Sequence, residues 1–137
     1  MTTVLNLSLE NDFDDLAEAI READSFLQSQ PLSSAVVFKV KLALEEVLTN
    51  IIKYGYLDQA RHVISLRLEV EDAEVTISST DDGCDFNPLT APPPDLSTPL
   101  SERQVGHVGL HLVRELADSI AYRRDREKNV LEMRFKG

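Results

Sequence analysis

The chain has 137 residues, of which 42% are hydrophobic and 28% charged, a composition typical of one globular domain spanning residues 1–137. Fourteen Lys and Arg residues against 24 Asp and Glu residues give a formal net charge of -10, which repels nucleic-acid phosphates and anionic lipids. With no apolar run of membrane-spanning length, no secretory signal pattern and a single cysteine, we expect a cytoplasmic protein without nucleic-acid or membrane partners.

The N-terminal region carries the pattern of a strand followed by a helix. Apolar and polar residues alternate from Thr3 to Leu9, which predicts a short strand with one buried face. From Phe13 the apolar positions recur with a period of about 3.6 residues, which predicts an amphipathic helix capped by Asn11 or Asp12. Because proline cannot continue a helix, this one should end before Pro31.

The middle of the chain predicts a second helix and a hairpin. An apolar stripe with helical spacing begins near Ser33 or Ser34 and stops at Gly55, and we expect it to face the core. Alternation over 63–70 resumes over 75–80 after a tight connection, which predicts a β-hairpin whose second strand ends at an acidic turn.

The C-terminal half begins with a segment poor in apolar residues. Residues 87–105 contain five prolines, and so long a stretch inside a small domain is usually a lid or a disordered segment. A third helix over 108–116 and a closing hairpin, with strands near 119–123 and 129–135, are predicted after it. The fold class is therefore α+β, a two-layer sandwich in which three helices cover one face of a mixed, mostly antiparallel sheet of about five strands.

Glu46 and Asn50 are the first candidate functional pair. At about 100° per residue they lie roughly 40° apart around the second helix, on the side of its apolar stripe, so both can face one ligand. A carboxylate there could act as general base, and a carboxamide oxygen is a ligand that Mg²⁺ accepts. The alternative is that both side chains belong to a solvated helix face.

The second candidate is the acidic turn that follows the second hairpin strand. The carboxylate of Asp81 could accept a hydrogen bond from an exocyclic amine such as that of adenine, and Gly83 would let the backbone approach a flat ring. An ordinary turn is the alternative, because Asp, Gly, Asn and Pro are common turn residues.

The third candidate is the glycine-containing start of the third helix. Gly106 and Gly109 would allow phosphate oxygens to approach the unpaired N–H groups that a helix N-terminus presents. A flexible opening into a core helix explains the same glycines.

In this order and context the three motifs resemble those of the GHKL ATPase superfamily. The segments at 45–56 (EEVLTNIIKYGY), 81–89 (DDGCDFNPL) and 106–114 (GHVGLHLVR) are most similar to those of small bacterial anti-sigma factors that are also serine/threonine-protein kinases. The resemblance in element order covers nearly the whole chain and implies the Bergerat ATP-binding fold.

The resemblance implies a function and a role for each matching residue. Glu46 would be the general base on the attacking hydroxyl, Asn50 would hold Mg²⁺, Asp81 would accept the adenine amine, and residues 89–105 would form an ATP lid. The residues implied in cofactor binding are Asn50, Asp81, Gly83, Phe86, Gly106, Val108, Gly109 and Leu110. The implied partners of such an ATP- and Mg²⁺-dependent kinase are a sigma factor and an anti-anti-sigma (STAS-type) protein, and relatives are commonly homodimers.

Two other functions remain open at this point. One is a non-catalytic ATP-sensing module that binds a partner but transfers no phosphate, which would need Asp81 and Asn50 but not Glu46 as base. The other is a detached histidine-kinase catalytic domain, which the short chain disfavours because such enzymes place a phosphoacceptor helix pair upstream.

Overall fold

The computed structural model describes residues 2–56, 58, 60–83 and 112–136, and these form an α+β fold with an open five-stranded antiparallel sheet. The predicted fold class is confirmed, and the described strand pairings are all antiparallel. The strands are β1 (Thr3–Glu10), β2 (Val63–Glu71), β3 (Glu74–Asp81), β4 (Ser119–Asp125) and β5 (Lys128–Lys136), and the helices are α1 (Phe13–Gln28) and α2 (Ser34–Tyr54).

The third predicted helix is described only in part. Residues 112–116 are helical, and Val113 is fully buried in the core. The remainder of that helix, with Gly106, Val108, Gly109 and Leu110, lies outside the described residues, as do Phe86 and the predicted lid at 89–105. Neither α1 nor α2 is long and apolar enough to cross a membrane, and the same holds for every helix in the described ranges.

One face of the sheet packs against the helices. The strand order is β1-β2-β3-β5-β4, and alternate residues of the three central strands join one core cluster with α1 and α2. The apolar members from these strands are Ile64, Leu66, Leu68, Val70, Val75, Ile77, Leu131, Met133 and Phe135. Ser79, Asp81 and Asn129 are polar, yet they are buried on the same face. These three residues make one end of the otherwise apolar buried face polar. Burial of a polar side chain is unfavourable without a partner, so this end of the sheet is a candidate for a functional site.

Two side-chain hydrogen bonds fix the start of α1. The Asp12 side chain accepts from the backbone N–H of Asp15 at 2.7 Å, and the Asp15 carboxylate accepts from the N–H of Glu10, at the end of β1, at 2.9 Å. Asp12 is therefore the cap. Asn11 instead accepts from the N–H of His62 at 2.9 Å and so links the end of β1 to the start of β2.

The second helix positions the candidate pair Glu46 and Asn50. Ser33 caps it by accepting from the N–H of Val36 at 3.2 Å, and its apolar stripe is buried, as predicted. Glu46 and Asn50 are both half-buried beside this stripe. The helix ends where the N–H of Gly55 donates to the carbonyl of Ile51 at 2.9 Å.

Both hairpins turn through two residues with left-handed backbone. Asp72 and Ala73 have φ of 51° and 62°, and Arg126 and Glu127 have φ of 49° and 66°. Such conformations match the twist of antiparallel strands and normally select Asn or Gly, because a Cβ atom is strained there.

Ala73→Gly is therefore expected to stabilise the protein. Removing the strained Cβ should raise the free energy of unfolding by about 0.5–1 kcal/mol, even after the entropic cost of glycine in the unfolded chain. Urea denaturation measures the difference. The control is Ala17→Gly at an exposed position inside α1, where the same substitution should lower stability by about 1 kcal/mol. A destabilised Ala73→Gly protein would contradict the assignment of strain.

Candidate functional site

Asp81 is a buried carboxylate at the end of β3, with 6% of its surface exposed. Its Oδ1 atom accepts two hydrogen bonds, from the N–H of Gly83 at 2.9 Å and from Nδ2 of Asn129 at 3.0 Å. No residue in the described ranges donates to Oδ2. The carboxylate thus has one oxygen held by the protein and one available to a ligand amine.

Gly83 brings the turn after β3 against the end of α2. A Cβ atom at position 83 would lie 2.4 Å from the carbonyl oxygen of Gly55 and 2.9 Å from Oδ1 of Asp81. Any side chain at position 83 would therefore force these two segments apart. The close approach seen at Gly83 is to the C-terminus of α2, and the approach of a flat ring to this glycine stays a prediction.

Glu46 and Asn50 lie on the helical turns that lead to this contact. At about 1.5 Å per residue, Asn50 is about 7.5 Å along the helix axis from Gly55, and Glu46 is about one turn further. Nδ2 of Asn50 donates to the backbone carbonyl of Glu46 at 2.7 Å, and no described residue donates to its Oδ1. The amide nitrogen is thus used within the helix, and the oxygen has no donor among the described residues. Among the described residues, no hydrogen bond or ion pair joins either side chain to Asp81.

A cluster around His62 borders the same turn. Nε2 of His62 is 2.7 Å from the Asp58 carboxylate, and Nδ1 is 3.1 Å from that of Asp82. The ring stacks on Tyr56 with centroids 4.1 Å apart and planes 12° from parallel. The hydrogen bond with Asp58, and next that with Asp82, raises the pKa of His62 above its ordinary value. A protonated ring can donate from both nitrogens, so it links the α2–β2 connection to the residue beside Asp81.

Tyr56 contributes a buried hydroxyl to the cluster around His62. The oxygen has no hydrogen-bond partner in the part of the chain that the structure describes. Burial raises the pKa of Tyr56, and the negative charges of Asp81, Asp82 and Asp58 raise it further. The hydroxyl therefore stays protonated, and it remains able to donate a hydrogen bond.

The His62 contacts predict a pH-dependent contribution to stability. Since the folded-state pKa is raised, this contribution is fully present below the unfolded pKa of about 6.5 and is lost as the pH rises through the folded-state value. The loss of melting temperature on His62→Gln should therefore be larger at about pH 6 than at about pH 9. Equal losses at the two pH values would show that the ion pairs contribute nothing to stability.

Sequence reasoning missed the residues that surround Asp81. The alternating pattern places Asn129 in the last strand and predicts no function for it. A polar residue at a core-facing position of such a pattern is nevertheless a sign of a functional role. Arg124 donates to the carbonyl of Gly83 at 2.9 Å and to Oδ1 of Asn129 at 3.0 Å. Its contribution depends on long-range strand pairing, which no local motif reveals.

The residues present fit an adenine nucleotide with Mg²⁺. A buried carboxylate oxygen without a described donor suits an exocyclic amine, and the Tyr56 hydroxyl, which has no partner among the described residues, is a further donor in this region. The carboxamide oxygen of Asn50 is the hard donor that Mg²⁺ prefers. The residues expected to contact the phosphates, Gly106, Val108, Gly109 and Leu110, lie outside the described ranges, as does Phe86.

Comparison with known proteins identifies one matching family and several relatives. The family described as the histidine kinase-like ATPase domain matches residues 9–135. Over 92 residues the chain is 29% identical to the serine/threonine-protein kinase BtrW of Bordetella bronchiseptica, covering 67% of this chain and 65% of that protein. Over 89 residues it is 29% identical to an anti-sigma F factor of Clostridium botulinum, covering 65% of this chain and 62% of the relative. It thus spans less than two thirds of the length of either relative.

Two solved structures share the fold at low sequence identity. The RsbU and RsbW domains of Rv1364c from Mycobacterium tuberculosis match with a TM-score of 0.67 and 13% identity, over 98% of this chain and 32% of that one. The histidine kinase domain of the blue-light activated histidine kinase EL346 from Erythrobacter litoralis matches with a TM-score of 0.54 and 16% identity, over 89% and 59% of the two chains. These matches show that the chain shares its fold with both structures.

Proposed function

Because this chain belongs to the histidine kinase-like ATPase domain family, we propose that it is an ATP-dependent serine/threonine-protein kinase that acts as an anti-sigma factor. The observation that carries the proposal is the buried Asp81 carboxylate beside Gly83, with one oxygen held by the protein and the other without a described donor. Two relatives, named as a serine/threonine-protein kinase and an anti-sigma F factor, support the kinase and regulatory parts.

In the proposed complex, Asp81 reads the base and Gly83 allows the ring to approach the backbone. The free carboxylate oxygen accepts a hydrogen bond from the exocyclic amine of adenine, which guanine does not offer at that position. Tyr56 donates from its buried hydroxyl on the same side, and His62 holds the turn through Asp82. The hydrogen bond to Asp81 is the contact that favours ATP over GTP.

Asn50 and Glu46 act at the other end of the nucleotide in this proposal. Asn50 offers its amide oxygen to the metal, while its amide nitrogen stays bonded to the helix backbone. Glu46 accepts the proton of a serine or threonine hydroxyl on the partner protein, so that the hydroxyl oxygen becomes the nucleophile. ATP with Mg²⁺ would supply the phosphoryl group and the charge neutralisation on which its transfer depends.

The proposed partners follow from the relatives and from the resemblance in sequence motifs. A sigma factor would be bound and kept inactive, and a STAS-type anti-anti-sigma protein would be phosphorylated on serine or threonine. We also propose that the protein forms a homodimer and works in the cytoplasm. None of these partners requires the acidic chain to bind nucleic acid directly.

The proposed function is tested by measuring ATP binding first and phosphoryl transfer to a partner protein second. The chain is titrated with Mg²⁺ and ATP, where ligand at 100 times its dissociation constant should stabilise the fold by about 2.7 kcal/mol. It is then incubated with labelled ATP and candidate sigma and STAS-type proteins, and the phosphorylated residue is mapped. Phosphoserine or phosphothreonine on a partner supports the proposal. Binding without transfer would instead identify an ATP-sensing module, and failure to bind ATP would overturn both functions.

A further inference from the structure

Asn129 is a second buried polar residue at the site, and it faces Asp81 directly. The two residues are cross-strand partners in the β3–β5 register, and both lie on the buried face of the sheet. Asn129 is 8% exposed, nearly as buried as Asp81 itself. Its Nδ2 atom donates to Oδ1 of Asp81, so its effect on that carboxylate is the question that the structure raises.

Two donors fix the orientation of the Asn129 side chain. Its Oδ1 atom accepts from the Tyr122 hydroxyl at 2.6 Å and from Nη1 of Arg124 at 3.0 Å. With the oxygen held from that side, Nδ2 is directed at Oδ1 of Asp81, 3.0 Å away. An inverted amide would place its NH₂ group against the guanidinium of Arg124, which cannot accept, and its oxygen against a carboxylate, so only one orientation is favourable.

The fixed amide in turn fixes the Asp81 carboxylate. Asn129 and the N–H of Gly83 both donate to Oδ1, so rotation of the carboxylate would break two hydrogen bonds. Arg124 closes the network because the same guanidinium nitrogen that holds Asn129 also donates to the carbonyl of Gly83 at 2.9 Å. Each member therefore favours the arrangement in which Oδ2 of Asp81 is the oxygen left for a ligand.

We propose that Asn129 is a positioning residue that orients Asp81 toward the exocyclic amine of adenine and so sets the preference for adenine over purines lacking that amine. The inference rests on the proposed function, because it concerns the same nucleotide site. Asn129 acts through Asp81 and needs no contact of its own with the nucleotide.

The test compares two nucleotides that differ only in the amine. Dissociation constants for ATP and for purine riboside triphosphate, which lacks the 6-amino group, are measured by calorimetry with Mg²⁺. The wild-type chain should prefer ATP by at least about tenfold. Asn129→Leu should reduce this preference to less than about threefold by weakening ATP binding, while the affinity for the analogue changes little.

A purely structural role for Asn129 would change both affinities equally and keep their ratio, and that result would overturn the proposal. A second variant covers the case in which Asn129→Leu does not fold. Arg124→Ala removes one donor from Asn129 and should lower the ratio of the affinity for ATP to that for the analogue by about threefold.

The matched control is Arg123→Ala, at a neighbouring exposed position, which should leave this ratio of affinities unchanged. An unchanged ratio in Arg124→Ala contradicts the network.

Failure of the proposed function gives a different result. A wild-type chain that binds neither nucleotide would refute ATP binding itself, before any variant is made. A wild-type chain that binds both equally would show that Asp81 does not read the amine, which overturns the positioning role but keeps nucleotide binding.

Discussion

Asp81→Asn is expected to weaken ATP binding at least about 100-fold without unfolding the protein. The asparagine can keep its Oδ1 atom as acceptor for Gly83 and Asn129, so the contacts within the chain survive. Its NH₂ group then occupies the position of Oδ2 and presents a donor to the donor on adenine. Loss of a charge-assisted hydrogen bond plus this mismatch corresponds to about 3 kcal/mol. Isothermal titration calorimetry with Mg²⁺ and ATP measures the change.

The matched control for Asp81→Asn is Asp82→Asn. It makes the same change of charge one residue away, on an exposed carboxylate whose described contact is with His62. ATP affinity should change by less than about threefold, because this carboxylate is not the one placed to read the base. Equal losses in the two variants would show that net charge, and not the orientation of Asp81, controls nucleotide binding.

The second large effect is expected from Glu46→Gln, which should lower the rate of phosphoryl transfer by about 10²–10⁴-fold. Glutamine keeps the size of the side chain but cannot accept the hydroxyl proton. Binding of ATP should change by less than about threefold, since the proposal assigns recognition of the base to Asp81 and not to Glu46. Single-turnover transfer of labelled phosphate to the partner, measured beside ATP titration, separates the two effects.

Glu45→Gln provides the matched control for the proposed general base. Glu45 is exposed on α2, whereas the adjacent Glu46 is half-buried. The same neutralisation at position 45 should leave both transfer and ATP binding nearly unchanged. If Glu45→Gln abolished transfer and Glu46→Gln did not, the assignment of the base to Glu46 would be wrong.

Local patterns were sufficient to predict the elements. Alternation over 63–70 and 75–80 identified β2 and β3, and helical spacing up to Gly55 identified α2 and its buried stripe. These predictions succeeded because each depends on which face of one element meets the core. The choice between Asn11 and Asp12 as cap needed the structure, since both side chains can accept a backbone N–H.

The surroundings of the candidate site were harder to predict. Asp81 and Asn129 are separated by 48 positions, and their contact exists only because β5 lies beside β3 in one particular register. Likewise, the stacking of Tyr56 on His62 depends on how the α2–β2 connection folds back. The polar character of Asn129 at a core-facing position indicates a functional role, but it does not predict that Asp81 is its hydrogen-bond partner.

The β4–β5 turn links the proposed nucleotide preference to loop length. Arg126 and Glu127 close the turn in left-handed conformations, and Arg124 is paired with Asn129 immediately beyond it. The buried face of β5 holds its register with β3, so an inserted residue that shifts a strand would shift β4. Arg124 would then move away from Asn129, and the carboxamide oxygen would lose one donor. The length of this surface turn is thereby constrained by the hydrogen bonds around Asp81.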